Sequence, residues 1–338
     1  MSLRLGINGY GRIGRSVLRA LQESPLRDEL KVVAVNELAD AATVVHLTRY
    51  DSTHGRFPAE VAACEGGFRI AGEPIALLRE EDPARLDWGR HGVDLVLECS
   101  GAFTDRATAE QHLAAGAGRL LFSQPAQADV DATVVYGVNH DCLEARHRIV
   151  SAASCTTNGI VPVIAALDDA FGIEVGTITT IHSAMNDQPV LDAYHHTDLR
   201  KTRAASRSII PIDTGLARGI ERILPALVGR FSAQALRVPT LNVSAMDLTV
   251  QVRAAADVAA VNRALAEAAG ARFDGVLGYT EEPLASCDFN HDPRSSIIDA
   301  SQTRVSGSHL VKVLTWFDNE WGYANRMLDV AHYWSHTA

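Results

Sequence analysis

Between Leu3 and Leu21 the chain reads LRLGINGYGRIGRSVLRAL, an apolar run, a glycine-rich turn and an amphipathic segment in direct succession. No other stretch narrows the fold so far. Leu3–Asn8 reads as a strand, and Arg12–Leu21 as a helix with Ile13, Val17 and Leu21 on one face. Gly9 suits the tight turn between them, Gly11 lets a backbone approach a pyrophosphate, and Gly14 permits close packing of helix on sheet. The helix start offers unpaired N–H groups and the positive end of its dipole to an anion. Gly9, Gly11, Arg12, Ile13 and Gly14 are therefore candidates for binding a dinucleotide.

The pattern continues. Lys31–Asn36, Val93–Cys99, Arg119–Ser123 and Thr133–Val138 read as strands, and Thr104–Ala115 as a helix capped by Thr104 and ended by Gly116. Strands alternating with helices imply an α/β, Rossmann-type doubly wound parallel sheet. The second strand ends in Asn36-Glu37, roughly 20 residues after Gly14, where a carboxylate accepts ribose hydroxyls and repels a 2′-phosphate. Glu37 thus points to NAD rather than NADP. Beyond residue 155 the reading changes to a helix over Thr156–Phe171, then strand-like runs at 175–183, 235–238, 245–252 and 309–316. This predicts an α+β domain with an antiparallel sheet. A last helix is expected over about 320–334. The polar tract 187–208 is long for a loop, which implies a function or a packing partner.

A length of 338 residues suits two domains. A formal charge of −10 argues against nucleic acid as a partner. The five cysteines show no CxxC or Cys/His metal spacing, so free thiols in a reducing compartment and no metal site are expected. The N-terminal run enters a strand with no room for a signal peptide, and no apolar stretch nears the ~18 residues that span a bilayer. A cytoplasmic enzyme without a membrane partner is the expectation.

Cys155, in Ser151-Ala-Ala-Ser-Cys-Thr-Thr-Asn-Gly159, precedes an apolar helical run. A helix N-terminus lowers a thiol's pKa, and the thiolate is the attacking species. His182 stands out among 13 histidines because it ends the strand run Gly176–His182, from which a side chain can project into a cleft. A base beside a thiol is a nucleophilic pair. A buried, inert cysteine remains open on the residues alone.

Six blocks carry a resemblance: INGYGRIGR (7–15), SAASCTTN (151–158), IHSAMNDQ (181–188), RAASRSIIP (203–211), RVPT (237–240) and FDNEWGY (317–323). Together they resemble the glyceraldehyde-3-phosphate dehydrogenase family along the whole chain. The resemblance implies an NAD-binding domain of 1–154 with 319–338 and a catalytic domain of 155–318. It implies a homotetramer in which 187–208 packs near a neighbouring subunit's cofactor. Cys155 matches the nucleophile that forms a hemithioacetal and then a thioester, and His182 its base. Asn319 matches the residue that holds the nicotinamide amide, although Asn also suits a helix N-cap. Ser123 is implied on the cofactor side. Ser154, Thr156, Asp187, Arg200, Thr214, Gly215 and Arg237 are implied around an aldose phosphate. His195-His196-Thr197 lengthens the loop before Arg200 by one residue relative to typical members, which leaves Lys201 or Arg203 open in place of Arg200.

Some positions depart from the triose-oxidising members. Met185 replaces a threonine hydroxyl that contacts substrate phosphate there, and a thioether cannot donate a hydrogen bond. Glu37 stands for an aspartate, and Asp288-Phe-Asn-His-Asp-Pro293 resembles the branch acting on D-erythrose 4-phosphate. That branch makes 4-phosphoerythronate for pyridoxal phosphate synthesis, with water resolving the thioester. The other expectations are phosphorylating oxidation of glyceraldehyde 3-phosphate, and a binding or regulatory relative without a main catalytic role. Gly159 stands where many relatives carry a second cysteine, so oxidation of Cys155 should stop at sulfenic acid or an external cap.

Overall fold

Leu3–Asn8 is strand β1, and its last four residues are buried in sequence, as happens when a parallel sheet is covered on both faces. The computed structural model describes residues 2–195 and 197–337. By its contacts the chain divides into one unit of Met1–Ser154 with Ala324–Ala338, and another of Cys155–Tyr323.

In the first unit β1 leads into α1 (Arg12–Glu23), β2 (Leu30–Asn36) and α2 (Ala41–Arg49). There follow the ribbon β3 (Tyr50–Asp51) with β4 (Gly55–Arg56), then β5 (Val61–Cys64), β6 (Gly67–Ile70) and β7 (Glu73–Leu78). The half closes with β8 (Leu95–Glu98), α3 (Arg106–Ala114), β9 (Arg119–Phe122), β10 (Ala132–Thr133) and β11 (Ile149–Ser151). Nine strands form one sheet in the order β10-β11-β9-β8-β1-β2-β7-β6-β5. Pairings from β10 to β7 are parallel, and β7-β6-β5 is an antiparallel edge.

Two expected details differ. Asp105, not Thr104, caps α3, its carboxylate taking the Thr108 amide at 2.9 Å. The strand expected over Thr133–Val138 stops at Thr133, because the Asn139 side chain accepts the Val135 amide at 2.8 Å and Gly137 turns the chain with φ +84°. The edge strands β5–β7, which the alternation does not announce, are joined by Gly66 and by Ala71-Gly72, all at positive φ, as tight hairpin turns require.

The second unit opens with α4 (Cys155–Phe171) and β12 (Ile173–His182), followed by β13 (Ile210–Ile212), α5 (Leu216–Ile223) and β14 (Phe231–Arg237). Then come β15 (Ser244–Val252), α6 (Val258–Gly270), β16 (Leu277–Thr280), β17 (Ser296–Ser306) and β18 (Leu310–Phe317). Helix α7 (Trp321–Ser335) begins in this unit and runs into the first. The sheet order is β13-β14-β12-β15-β18-β17-β16. It is mostly antiparallel, but β12 with β14 and β16 with β17 run parallel. The segment from β12 to β14 is long enough for the crossover a parallel neighbour needs. In α4 every residue from Thr157 to Leu167 is buried, so its apolar run is a core helix. Among the described residues no helix is long and apolar enough to cross a membrane.

Candidate active site

A groove of about 410 Å³ in the first unit is lined by Asn8, Gly9, Gly11, Asn36, Glu37 and Ser100 among others. Each glycine of the turn meets a distinct constraint. Gly9 has φ +87°, and a Cβ there would lie 2.4 Å from the Ser100 Cα. A Cβ on Gly14 would lie 2.2 Å from the Gly9 carbonyl oxygen, the cost of close packing under the turn. Around Gly11 no heavy atom lies within 4 Å of that position, so its backbone is open to a ligand. Glu37 is held in the groove by the Tyr10 amide at 3.0 Å and the Leu38 amide at 2.8 Å. Beneath it Asn36 donates to Asn8 at 2.7 Å and Asn8 to the buried Glu98 at 2.5 Å. Arg12 turns its guanidinium to Asp51 and Ile13 is half-buried, both in the first turn of α1. Ser123 stands at the end of β9, its amide on the Glu98 carbonyl at 3.0 Å.

In the second unit Cys155 is the first residue of α4 and His182 the last of β12. Their Sγ and Nε2 are 3.9 Å apart. The His182 Nδ1–H donates to the Ser183 carbonyl at 2.8 Å, which leaves the Nε2 lone pair facing the sulfur. Burial lowers the His182 pKa, assisted by the Arg237 charge, so the ring is neutral at pH 7. The thiol departs from the expectation of a depressed pKa. It keeps partial solvent access, yet the protein packed around the sulfur withholds water and pushes it up to about 11, with the Glu320 charge adding. The amides of Cys155 and Thr156 hydrogen-bond the sulfur and pull the other way, which is the helix N-terminal effect outweighed by desolvation. The pair rests as neutral thiol and neutral base. Ser154 and Thr156 flank the thiol, both half-buried.

Asn319 is 9% exposed, and its side-chain oxygen accepts the Ser183 hydroxyl at 2.9 Å and the Ser244 hydroxyl at 2.8 Å. The Ser244 oxygen itself accepts the Ser183 amide at 3.0 Å, so its proton is committed to Asn319. The Asn319 NH2 is thereby the end left for a further acceptor. The N-terminal turn of α7 is instead served by Asp318, which accepts the Glu320 amide at 3.0 Å and the Trp321 amide at 2.8 Å.

Arg237 ends β14 beside His182, is 5% exposed, and pairs with Asp187. Burial raises the Asp187 carboxyl, but hydrogen bonds from Arg237 and Lys201 outweigh it and hold the pKa below the usual value. The Met185 sulfur accepts an Arg237 N–H at 3.4 Å. Lys201, not Arg200, reaches Asp187, at 3.0 Å. The short 3₁₀ turn Leu199–Thr202, capped by Asp198, leaves Arg200 exposed and turns Lys201 inward. Thr214 accepts the Leu216 amide at 3.2 Å and Gly215 is the N-cap of α5. Among the described residues no hydrogen bond joins these two to the Cys155–His182 pair. His196, part of the lengthened loop, lies outside the described residues. Sequence reasoning missed Ser183 and Ser244, of which only Ser183 carried a signal as the neighbour of His182; Lys201 was open as an alternative to Arg200.

A dinucleotide-type groove in one unit and a thiol facing an imidazole base in the other define an oxidoreductase that works on aldehydes with a nicotinamide cofactor. Residues 3–106 match the glyceraldehyde 3-phosphate dehydrogenase NAD binding domain, and residues 154–319 match the glyceraldehyde 3-phosphate dehydrogenase C-terminal domain. The chain belongs to the glyceraldehyde-3-phosphate dehydrogenase family, NAD-dependent oxidoreductases of aldehyde phosphates. The open backbone at Gly11 and the carboxylate of Glu37 in the groove fit NAD.

Proposed function

We propose that this enzyme oxidises D-erythrose 4-phosphate to 4-phosphoerythronate, as a D-erythrose-4-phosphate dehydrogenase whose thioester is resolved by water. The observation that carries this reading is Met185. Its sulfur takes an N–H of Arg237, the buried arginine of the anion site, where triose-oxidising members place a threonine hydroxyl. A thioether adds no donor to a phosphate, so a site of this composition suits a different placement of the phosphate.

The steps follow from the chain's own groups. The Cys155 Sγ–H bond breaks as sulfur adds to the aldehyde carbon, and the proton passes to the neutral His182 Nε2. Bound NAD supplies the hydride acceptor for the hemithioacetal. Asn319, its oxygen held by Ser183 and Ser244, would hold the carboxamide through its NH2 and so select the ring face. His182 releases that proton to solvent, then takes one from water as the water oxygen attacks the thioester; collapse frees the acid, and the leaving sulfur takes its proton back from His182. Arg237 and Lys201, bridged by Asp187, supply the cationic contacts for phosphate.

The same two-cation cluster favours one rival, since a second anion such as inorganic phosphate could attack in place of water. NADH formation measured with each aldose phosphate, with and without inorganic phosphate, separates them. Phosphate-independent oxidation of the tetrose supports the proposal; strict phosphate dependence with preference for the triose overturns it.

We also propose a homotetramer. Val190, Leu191, Tyr194 and Leu199 of the 187–208 tract are each more than three-quarters exposed, which supports cover by a neighbouring subunit. The five cysteines are free, which supports a reducing, cytoplasmic compartment.

A further inference from the structure

On the first unit, His332 lies in the last turn of α7 and His336 in the turn that follows it, and the turn entering β2 brings Glu29 beside them. The Glu29 Oε2 is 2.9 Å from the His332 Nε2 and 3.8 Å from the His336 Nε2. One ligand atom from each of the three residues falls within a span of 4.8 Å. We propose that Glu29, His332 and His336 form a surface site for a divalent transition cation of the zinc type.

Three observations support this. The turn that closes α7, with the His336 amide on the Tyr333 carbonyl at 3.0 Å, brings the His332 and His336 rings to 4.7 Å between centroids, so the two imidazoles stand side by side. The His336 Nδ1–H has an acceptor in the His332 carbonyl at 2.9 Å, which leaves the Nε2 lone pair for a metal, the outer-sphere arrangement that orients ligating histidines. Two imidazoles and one carboxylate also match the preferences of zinc, nickel or copper rather than calcium or magnesium.

The dimensions agree as well. In a tetrahedral site with bonds of about 2.05 Å, ligand atoms stand about 3.3 Å apart. The carboxylate lies 2.9 and 3.8 Å from the two imidazole nitrogens and all three ligand atoms fall within 4.8 Å, so a metal would replace the His332–Glu29 hydrogen bond and draw in the exposed Glu29 and His336 by small rotations. Water completes the coordination. His332 and His336 lie outside both matched segments, so the family match assigns them no role. Metal here would join the entry of β2 to the C-terminal part of α7.

The test uses the full-length enzyme stripped with chelator, titrated with Zn2+ by calorimetry and with Co2+ by visible absorption. Support is one ion per chain, without the thiolate charge-transfer band that Cys155 would give, and affinity at least tenfold weaker in His336→Ala and in Glu29→Gln, with the oxidation rate unchanged. Retained affinity in both variants, a thiolate band on the bound ion, or no saturable binding overturns the proposal. His336 is exposed, so His336→Ala remains a folded test if Glu29→Gln loosens the helix.

Discussion

The side-chain oxygen of Asn319 receives the Ser183 hydroxyl at 2.9 Å, across 136 positions of sequence. An amide free to flip would offer either end to a cofactor. Here two hydroxyls, from Ser183 and Ser244, converge on the oxygen and settle which end that is.

Removing both hydroxyls with Ser183→Ala and Ser244→Ala should weaken NAD binding or lower kcat by roughly tenfold, the worth of a net hydrogen bond of about 1–1.5 kcal/mol. The KM for the aldose phosphate should stay within about twofold, because Arg237 is untouched. An unchanged NAD affinity and kcat would remove these serines from cofactor positioning.

Burial holds the thiol near 11 and keeps His182 neutral, so the free enzyme's sulfur is protonated at neutral pH. Alkylation of Cys155 by iodoacetamide should therefore climb about tenfold per pH unit between 7 and 10, following the thiolate fraction. A rate already on a plateau below pH 7 would mean an imidazolium–thiolate pair and contradict this reading.

Cys155→Ser should abolish aldehyde oxidation and leave NAD binding nearly intact, since the cofactor groove belongs to the other unit. Residual activity near that of the parent enzyme, in parallel with equal NAD affinity by fluorescence titration, would exclude the thiol as nucleophile.

Arg237 is buried and Lys201 only half so, and the two should differ as phosphate ligands. Arg237→Ala should raise KM for phosphorylated aldose by about 10–100-fold, the range for a desolvated charged hydrogen bond, while Lys201→Ala should cost only a few-fold. Comparison with an unphosphorylated aldose checks the assignment, because neither change should alter that KM.

Gly159 leaves no slack for the cysteine that many relatives carry at this place. A Cβ there would sit 2.6 Å from the Met246 methyl and 3.3 Å from the Ser295 carbonyl oxygen. Gly159→Cys should cost about 1–3 kcal/mol by overpacking, read as a lower melting temperature. An unchanged or raised melting temperature would show that Met246 yields freely.

Local chemistry explains why some of this was legible in the chain. The glycine turn announces its groove because Gly9 and Gly14 are sterically required within a few residues of each other. Cys155 was legible as a helix start because the apolar run behind it is a core helix. The thiol's raised pKa was hidden, since it depends on which groups crowd the sulfur and not on its place in a helix. Ser244 was hidden for the same kind of reason: its partner Ser183 lies 61 residues away across the sheet. The choice of Lys201 over Arg200 turned on one residue of phase in a short 3₁₀ turn, below what composition can resolve. Asn319 escaped the capping role because its neighbour Asp318, an acceptor with two oxygens, already took it.

His182 and Arg237 face each other in register on β12 and β14, which run parallel. Neighbouring strands stand about 4.8 Å apart, so the spacing between the backbones that carry the His182 imidazole and the Arg237 guanidinium is set by the main chain. Under the proposed function the sheet would work as a gauge for substrate length. Trimming side chains around it would alter affinity without resetting the gauge, whereas inserting one residue into β14 would turn Arg237 to the opposite face. Under the proposed function, selection among aldoses of three and four carbons would then rest partly on backbone hydrogen bonds, out of reach of most point substitutions.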